Sequence, residues 1–275
     1  MKKSSLAQKL LNAPYMLWSG LFIVAPLIMV IYYAFTDTTG AFTLSNIAQI
    51  GDYTSTFILS ISYGAVATVI SLIIAYPFAY FLAQTKASFQ RVATMLIMLP
   101  MWMSFLIRTY SWITILGESG VINSFLGIFG IEPLKMLNTG GAVILGMVYN
   151  FLPYMILPLY TSLSKMDNSL VEAAQDLGCN KFYCLRKVIF PLSVPGIASG
   201  VTMVFVPSVS TFYITQKLGG GQITLIGDVI EGQFQTAYNY NLGAALSLVL
   251  MVMILICLGV LNYFTDSDDD GGVLI

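Results

Sequence analysis

Apolar runs of about twenty residues, separated by shorter polar segments, restrict the fold of this chain more than any single motif. A run of this length crosses the hydrocarbon core of a bilayer as an α-helix. Charged residues make up 9% of the chain and hydrophobic residues 57%, whereas soluble domains carry about 25% charged residues. Barrel strands would instead alternate over segments of about ten residues. We therefore expect an all-α membrane protein in a lipid bilayer.

Six such runs predict six transmembrane helices. We expect them at about 15–35, 58–83, 92–116, 142–163, 192–215 and 242–264. The first run is too long for the apolar core of a signal peptide and lacks a convincing cleavage site, so we expect a retained span. The predicted organisation is an N-terminal segment at 1–14, a six-helix domain at 15–264 and an acidic tail at 265–275.

Small residues on two of the runs predict close helix packing. In the second run they recur every four positions, at Ala67, Ser71, Ala75, Ala79 and Ala83. The fifth run contains a Gly-x3-Gly pair at Gly196 and Gly200. Such positions let two helix backbones approach each other.

The basic residues lie mostly on one side of the predicted spans. Nine of the twelve are Lys2, Lys3, Lys9, Lys86, Arg91, Lys165, Lys181, Arg186 and Lys187. The other three, on the opposite side, are Arg108, Lys135 and Lys217. Since cytoplasmic loops carry the excess of lysine and arginine, we expect both termini and the 167–191 segment in the cytoplasm.

The longest polar segment, 167–191, lies between the fourth and fifth predicted spans. Ser169 and Glu172 have the spacing of a capping box, which predicts the start of a helix. Gly178 suits the left-handed position that ends a helix. A second helix is predicted from Asn180 until Pro191 stops or bends it. This degree of order indicates a functional segment.

The same segment resembles the EAA loop of ABC-importer permeases. The family pattern is EAA, three residues, Gly, nine residues and Ile-x-Leu-Pro, and this chain keeps the spacing with Val188 and Phe190 in place of Ile and Leu. The resemblance implies a type I ABC importer permease (MetI-like) fold with six transmembrane helices, in which this segment is a cytoplasmic coupling helix that docks on an ATPase. The implied coupling residues are Glu172, Ala173, Ala174, Asp176, Gly178 and Pro191.

Further stretches are similar to the B-type permeases of spermidine/putrescine importers, at 75–83, 104–110, 148–160, 165–167 and 170–178. This resemblance implies a multi-pass protein of the bacterial cytoplasmic membrane that imports polyamines. The implied partners are a C-type permease in a heterodimer, two ATPase subunits and an extracytoplasmic polyamine-binding protein. The chain lacks the Gly-x4-Gly-Lys-Ser/Thr sequence. We therefore expect ATP and Mg²⁺ on the ATPase subunits, and no enzyme activity, cofactor, metal or nucleic acid on this chain.

Aromatic faces and carboxylates are the groups that suit a long polycation. Candidates for the transport pathway are Trp102, Tyr110, Tyr149, Tyr154, Asp228 and Glu231. Interfacial packing is the alternative for the aromatic residues, and a solvated loop is the alternative for the two acids. Within the same class, ferric iron, phosphonate, thiamine and an oxyanion remain alternative cargoes.

Two other classes of function are less consistent with the sequence. A self-sufficient secondary transporter is expected to hold carboxylates in mid-span, whereas the acids here lie in the loops, the 167–191 segment and the tail. A membrane enzyme lacks support because the chain has no histidine and no paired acid–base groups in a span. We expect its three cysteines, Cys179, Cys184 and Cys257, to be reduced thiols.

Overall fold

The computed structural model describes residues 14–269, and its regular structure in this range is helical apart from one isolated antiparallel bridge between Thr36 and Phe42. The all-α prediction is therefore confirmed. We number the helices as α1 Pro14–Ala34, α2 Thr54–Ala83, α3 Ala87–Trp102, α4 Phe105–Leu116, α5 Val121–Ile128, α6 Gly140–Ser164, α7 Asn168–Asp176, α8 Lys181–Leu192, α9 Val194–Ser210, α10 Tyr213–Leu218, α11 Ile226–Gln235 and α12 Tyr240–Asp269. Short turns at Ser45–Ala48 and Gln49–Tyr53 lead into α2.

The described helices provide six candidate membrane spans when each sharply bent pair is counted as one. Four spans consist of α1, α2 with its lead-in, α6 and α12. The other two are bent: α3 meets the Phe105–Ile128 stretch at 89°, and α8 meets α9 at 66°. The number of spans agrees with the prediction, and the breaks interrupt the spans predicted at 92–116 and 192–215.

Both breaks have a local cause in the backbone. Met103 and Ser104 are extended, with ψ of 148° and 129°, and this interrupts the helix after α3. At the second break, Pro195 has no N–H to donate to the carbonyl four residues earlier. Ser193 instead satisfies part of the local backbone, since its hydroxyl donates to the carbonyl of Phe190 at 2.8 Å. Pro191 itself does not stop α8, which continues to Leu192.

Residues 56–228 and 254–269 form one compact unit. In this unit α9 packs along α6, and two glycines of α9 lie at the contact. A Cβ atom added at Gly200 would lie 2.6 Å from the sulfur of Met155. One added at Gly196 would lie 2.5 Å from the Cβ of Ser162. Because real Cβ contacts are longer, a side chain at either glycine would force its neighbour on α6 to shift. The predicted close-packing face is confirmed.

The small-residue face of α2 is also buried in this unit. Ala67, Ser71, Ala75 and Ala79 are all 0% exposed. Near the other end of the same helix, a Cβ at Gly64 would lie 2.6 Å from Val209 of α9. The four-residue spacing in the sequence therefore identified a true packing face.

Residues 14–55 and 229–253 form the other unit. Ala34, Ala244 and Ala245 lie in its core, so the end of α1 packs against the first turns of α12. At the far end of the chain, α12 includes residues 265–269 of the predicted acidic tail, which are therefore helical. Residues 270–275 of that tail and 1–13 of the N-terminal segment lie outside the described residues.

Candidate coupling site and transport pathway

The helix at the start of the 167–191 segment is capped by an aspartate. The Oδ1 of Asp167 accepts the N–H of Ser169 at 2.9 Å, and α7 begins at the next residue, 168. This hydrogen bond lowers the pKa of Asp167, so the carboxylate stays ionised at the positive end of the helix. The capping box predicted for Ser169 and Glu172 is wrong, because the cap lies two residues earlier.

The turn between α7 and α8 has the predicted left-handed glycine. Gly178 has φ of +86°, and its N–H donates to the carbonyl of Gln175 at 2.8 Å. The N–H of Cys179 donates to the carbonyl of Ala174 at 3.1 Å, which closes the end of α7. Asn180 then caps α8, with its Oδ1 accepting the N–H of Tyr183 at 2.8 Å. Both helix starts and the turn are thus fixed by local hydrogen bonds.

A cavity of about 560 Å³ lies between these two helices and the ends of α2 and α6. Glu172 of α7 and Lys181 of α8 supply the acidic and the basic group of its lining. Tyr80 and Thr85 line it from the end of α2, and Met166 from the residues after α6. Through this cavity, Glu172 faces the ends of two spans, so a shift of α7 alters the space between them.

The span ends at this cavity are tied together by Gln90 of α3. Its Nε2 donates to the carbonyls of Ala83 and Thr85 at 3.0 and 2.9 Å. Its Oε1 accepts the hydroxyl of Tyr160 of α6 at 3.1 Å. One amide therefore joins α2, α3 and α6. The sequence does not reveal this residue, since a single glutamine beside a basic loop carries no distinctive pattern.

The opposite side of the segment presents apolar side chains. Leu177 is 90% exposed, Phe182 74% and Tyr183 54%. Ala173 and Asp176 are also exposed, while Ala174 is half-buried. The three large side chains were missed as site residues, although apolar residues within an otherwise polar segment are a recognisable signal of a contact surface. We refer to Leu177, Phe182 and Tyr183 as the exposed apolar face.

The two cysteines of this segment lie together as free thiols. A hydrogen bond with the buried Cys184 is the main cause that raises the pKa of Cys179. Because the thiolate is the reactive form of cysteine, this contact makes Cys179 a weak nucleophile at neutral pH.

The predicted pathway residues fall into separate places. Tyr110 of α4 pairs with Tyr213 of α10, with ring centroids 6.4 Å apart, and Trp112 pairs edge-on with Tyr149 at 5.2 Å. The ammonium of Lys217 lies 5.4 Å from the Tyr110 ring centroid and 5.7 Å from that of Tyr213. The structure therefore contains a lysine ammonium between two tyrosine rings, of which the sequence identified one.

The remaining pathway candidates lie on α3, α6 and α11. Trp102, at the end of α3, is 69% exposed, and Tyr154 contacts Phe151 with ring centroids 6.5 Å apart. Asp228 and Glu231 lie on α11, a helix within the segment between the last two spans that the sequence predicted as a loop. Their role in the pathway stays a prediction. The Oδ2 of Asp228 accepts the N–H of Leu225 at 2.8 Å, so this carboxylate also stabilises the start of α11.

Comparison with known proteins gives consistent matches along most of the chain. The family described as binding-protein-dependent transport system inner membrane component matches residues 75–266. The chain is 37% identical over 256 residues to the spermidine/putrescine transport system permease protein PotB of Haemophilus influenzae, covering 90% of each chain. It is 36% identical over 246 residues to PotB of Escherichia coli, covering 86% of this chain and 90% of the relative.

A solved structure gives the same fold at lower sequence identity. A chain of a bacterial ABC transporter involved in the import of the acidic polysaccharide alginate superposes with a TM-score of 0.72 at 18% identity. The match covers 95% of this chain and 96% of that one. The six-span helical arrangement is therefore that of an ABC-importer permease, as the 167–191 segment predicted.

Proposed function

Because the chain belongs to the family of binding-protein-dependent transport system inner membrane components, we propose that it is the permease subunit of an ATP-driven importer of polyamines such as spermidine and putrescine. The proposed cargo rests on the sequence identity of 37% and 36% to two spermidine/putrescine permeases over most of the chain. The fold alone does not select a cargo, since the superposed transporter imports an acidic polysaccharide.

The contacts of Lys217 show that the Tyr110 and Tyr213 rings hold an ammonium group of this chain. Its ammonium lies within 6 Å of the centroids of the Tyr110 and Tyr213 rings, the distance at which cation–π attraction acts. A polyamine carries the same primary ammonium group on a similar alkyl chain. The ring faces have the chemistry that an ammonium cargo needs, while the charge of Lys217 itself repels a cation. Tyr110 remains our first candidate for the pathway.

Coupling to ATP is proposed to run through the 167–191 segment. The exposed apolar face provides a docking surface for an ATPase subunit, which would bind the ATP and Mg²⁺. Docking there displaces α7, and Glu172 passes this shift to the cavity between the ends of α2 and α6. Gln90 makes those ends move together, since it hydrogen-bonds to both sides. A second permease subunit and an extracytoplasmic binding protein complete the proposed importer.

The proposed orientation places both termini and the 167–191 segment in the cytoplasm. Its support is the distribution of basic residues, nine on that side and three on the other, among the twelve of the chain. An ATPase subunit is cytoplasmic in such an importer, so this orientation gives it access to the exposed apolar face.

Uptake of radiolabelled spermidine tests the cargo. Cells that lack their own polyamine importers receive the binding protein, the second permease and the ATPase, with or without this chain. We expect uptake only with the chain, and competition by unlabelled putrescine but not by ferric iron, phosphonate or thiamine. Equal uptake without the chain, or competition by one of the other cargoes, would overturn the polyamine assignment.

A further inference from the structure

A second cavity, of about 620 Å³, lies where α1 ends and α12 begins, within the unit formed by 14–55 and 229–253. Aromatic and polar side chains dominate its lining, in particular Tyr32, Tyr33, Asp37, Tyr238, Tyr240 and Asn241. Asp37 is the one charged residue among those that line it. The residues of the coupling segment and of the Tyr110–Tyr213 pair do not contribute to this cavity.

The carboxylate of Asp37 is held in one orientation by the turn that follows it. Its Oδ1 accepts the hydroxyl of Thr39 at 2.6 Å, the N–H of Thr39 at 2.8 Å and the N–H of Ala41 at 3.0 Å. These hydrogen bonds lower the pKa of Asp37, and the bond from the Thr39 hydroxyl has the largest effect. The carboxyl group is therefore an anion at neutral pH. Gly40, with φ of +83°, permits the turn.

Two buried amides hold the end of α1 in place. The Nδ2 of Asn241 donates to the carbonyls of Thr36 and Tyr33 at 2.7 and 3.2 Å. The Nδ2 of Asn46 donates to the carbonyls of Thr36 and Ala34 at 2.9 and 3.2 Å. Asn241 thereby joins the two chain segments that line the cavity. A site with walls fixed in this way loses little entropy when a ligand binds.

The lining selects one class of ligand. A single carboxylate without a basic neighbour attracts a cation, and tyrosine rings bind organic cations through their faces. A calcium ion would require six or more oxygen ligands, generally with several carboxylates, which this cavity does not supply. We propose that the cavity is a binding site for the primary ammonium group of an alkylamine.

The decisive comparison is between two isosteric substitutions of carboxylates. The full chain is purified in a neutral detergent and titrated with putrescine in a calorimeter. Asp37→Asn removes the charge but keeps an oxygen that accepts the hydrogen bonds of the turn. Asp52→Asn is the matched control, because Asp52 lies in the same unit and does not line the cavity.

We expect Asp37→Asn to weaken putrescine binding roughly fivefold, as for the loss of an ion pair at a partly exposed site, and Asp52→Asn to bind like the wild type. Unchanged affinity in Asp37→Asn, or an equal loss in Asp52→Asn, would overturn the proposal. The titration uses no ATP and no partner subunit, so its outcome is independent of whether the importer carries polyamines.

A second pair of variants tests the aromatic part of the site. Tyr238 is 68% exposed, so its replacement leaves the core intact. Tyr238→Phe keeps the ring and should bind putrescine like the wild type, whereas Tyr238→Leu should bind roughly threefold more weakly. Equal affinity in Tyr238→Leu and Tyr238→Phe would show that the ring does not bind the ammonium group.

Two sources offer the same ammonium group, a soluble diamine and the headgroup of phosphatidylethanolamine. The titration is therefore repeated with phosphatidylethanolamine or phosphatidylcholine added to the micelles. Competition by phosphatidylethanolamine alone, lost in Asp37→Asn, would assign the lipid headgroup as the occupant. Absence of competition by either lipid would assign the soluble amine. Loss of the Asp37 dependence under both conditions would contradict an ammonium site from either source.

Discussion

Asp167 shows how one side chain sets the start of the first helix of the 167–191 segment. Its carboxylate caps α7 through the N–H of Ser169 and has a lowered pKa. A group with a lowered pKa stabilises the folded state above its unfolded pKa, and the contribution is lost as the pH falls through the folded pKa. The cap therefore operates at neutral pH and weakens only in acid below the usual range of aspartate.

Replacing this cap should change the protection of one amide. In Asp167→Ala we expect faster hydrogen exchange of the Ser169 N–H at neutral pH, because the exposed N-terminus of α7 loses its acceptor. Asp167→Asn is the control, since asparagine is also a good N-cap. Asp167→Asn should retain the protection of the Ser169 N–H. In the wild type we expect this protection to fall in acid, whereas in Asp167→Asn it should not change with pH. Equal exchange in Asp167→Ala and the wild type would show that the cap lies elsewhere.

At the scale of the element, the contact between α6 and α9 depends on the absence of side chains. In Gly200→Leu the new Cβ atom would lie 2.6 Å from the sulfur of Met155, which is too close for a normal contact. We expect a loss of about 1–3 kcal/mol in the free energy of unfolding, the usual effect of overpacking a core. A lower melting temperature of the detergent-solubilised protein would report this loss.

Gly259→Leu serves as the matched control for this substitution. Gly259 also lies inside a long apolar helix, α12, but nothing lies within 4 Å of a Cβ at that position. We expect its melting temperature to equal that of the wild type. If the two variants melted at the same temperature, glycine packing would not explain the α6–α9 contact.

The elements also show what the sequence could and could not predict. Long apolar runs predicted six spans, and small residues such as Ala75 identified the buried face of α2, because both depend on local spacing. The 89° break after Trp102 depends on two extended residues, Met103 and Ser104, whose sequence carries no strong turn signal. The sequence also missed α11, because three consecutive glycines (219–221) and the polar residues that follow are typical of a loop, and Asp228 was assigned to that loop.

The same distinction holds for the candidate site. Gly178 and Asn180 were predictable because turns and caps are local. The cavity around Glu172 and the link from Gln90 to Tyr160 join residues far apart in the chain, so they required the fold.

For the whole molecule, the proposed orientation is open to a direct test. A fluorescent protein fused after Ile275 should fold and fluoresce, because that end is expected in the cytoplasm. Alkaline phosphatase inserted between Thr38 and Thr39 should be active, because that turn is expected outside, where the enzyme acquires its disulfides. The reverse pattern, an inactive phosphatase and a dark fluorescent protein, would invert the topology and remove ATPase access to the coupling segment.

The central claim is that the 167–191 segment couples an ATPase to transport, and a pair of isosteric variants of Gly178 tests it. Asparagine and aspartate both tolerate the left-handed conformation of this residue, and nothing lies within 4 Å of a Cβ there. The two variants therefore differ in one negative charge, which aspartate places at the C-terminus of α7, the unfavourable end for an anion.

The measurement is ATP-driven uptake of radiolabelled spermidine into proteoliposomes that contain the assembled importer and its binding protein. We predict that Gly178→Asn retains most of the wild-type uptake, while Gly178→Asp inserts normally but loses both uptake and the ATP hydrolysis stimulated by loaded binding protein. Normal spermidine uptake by Gly178→Asp, at equal amounts of reconstituted protein, would contradict a coupling role for this segment.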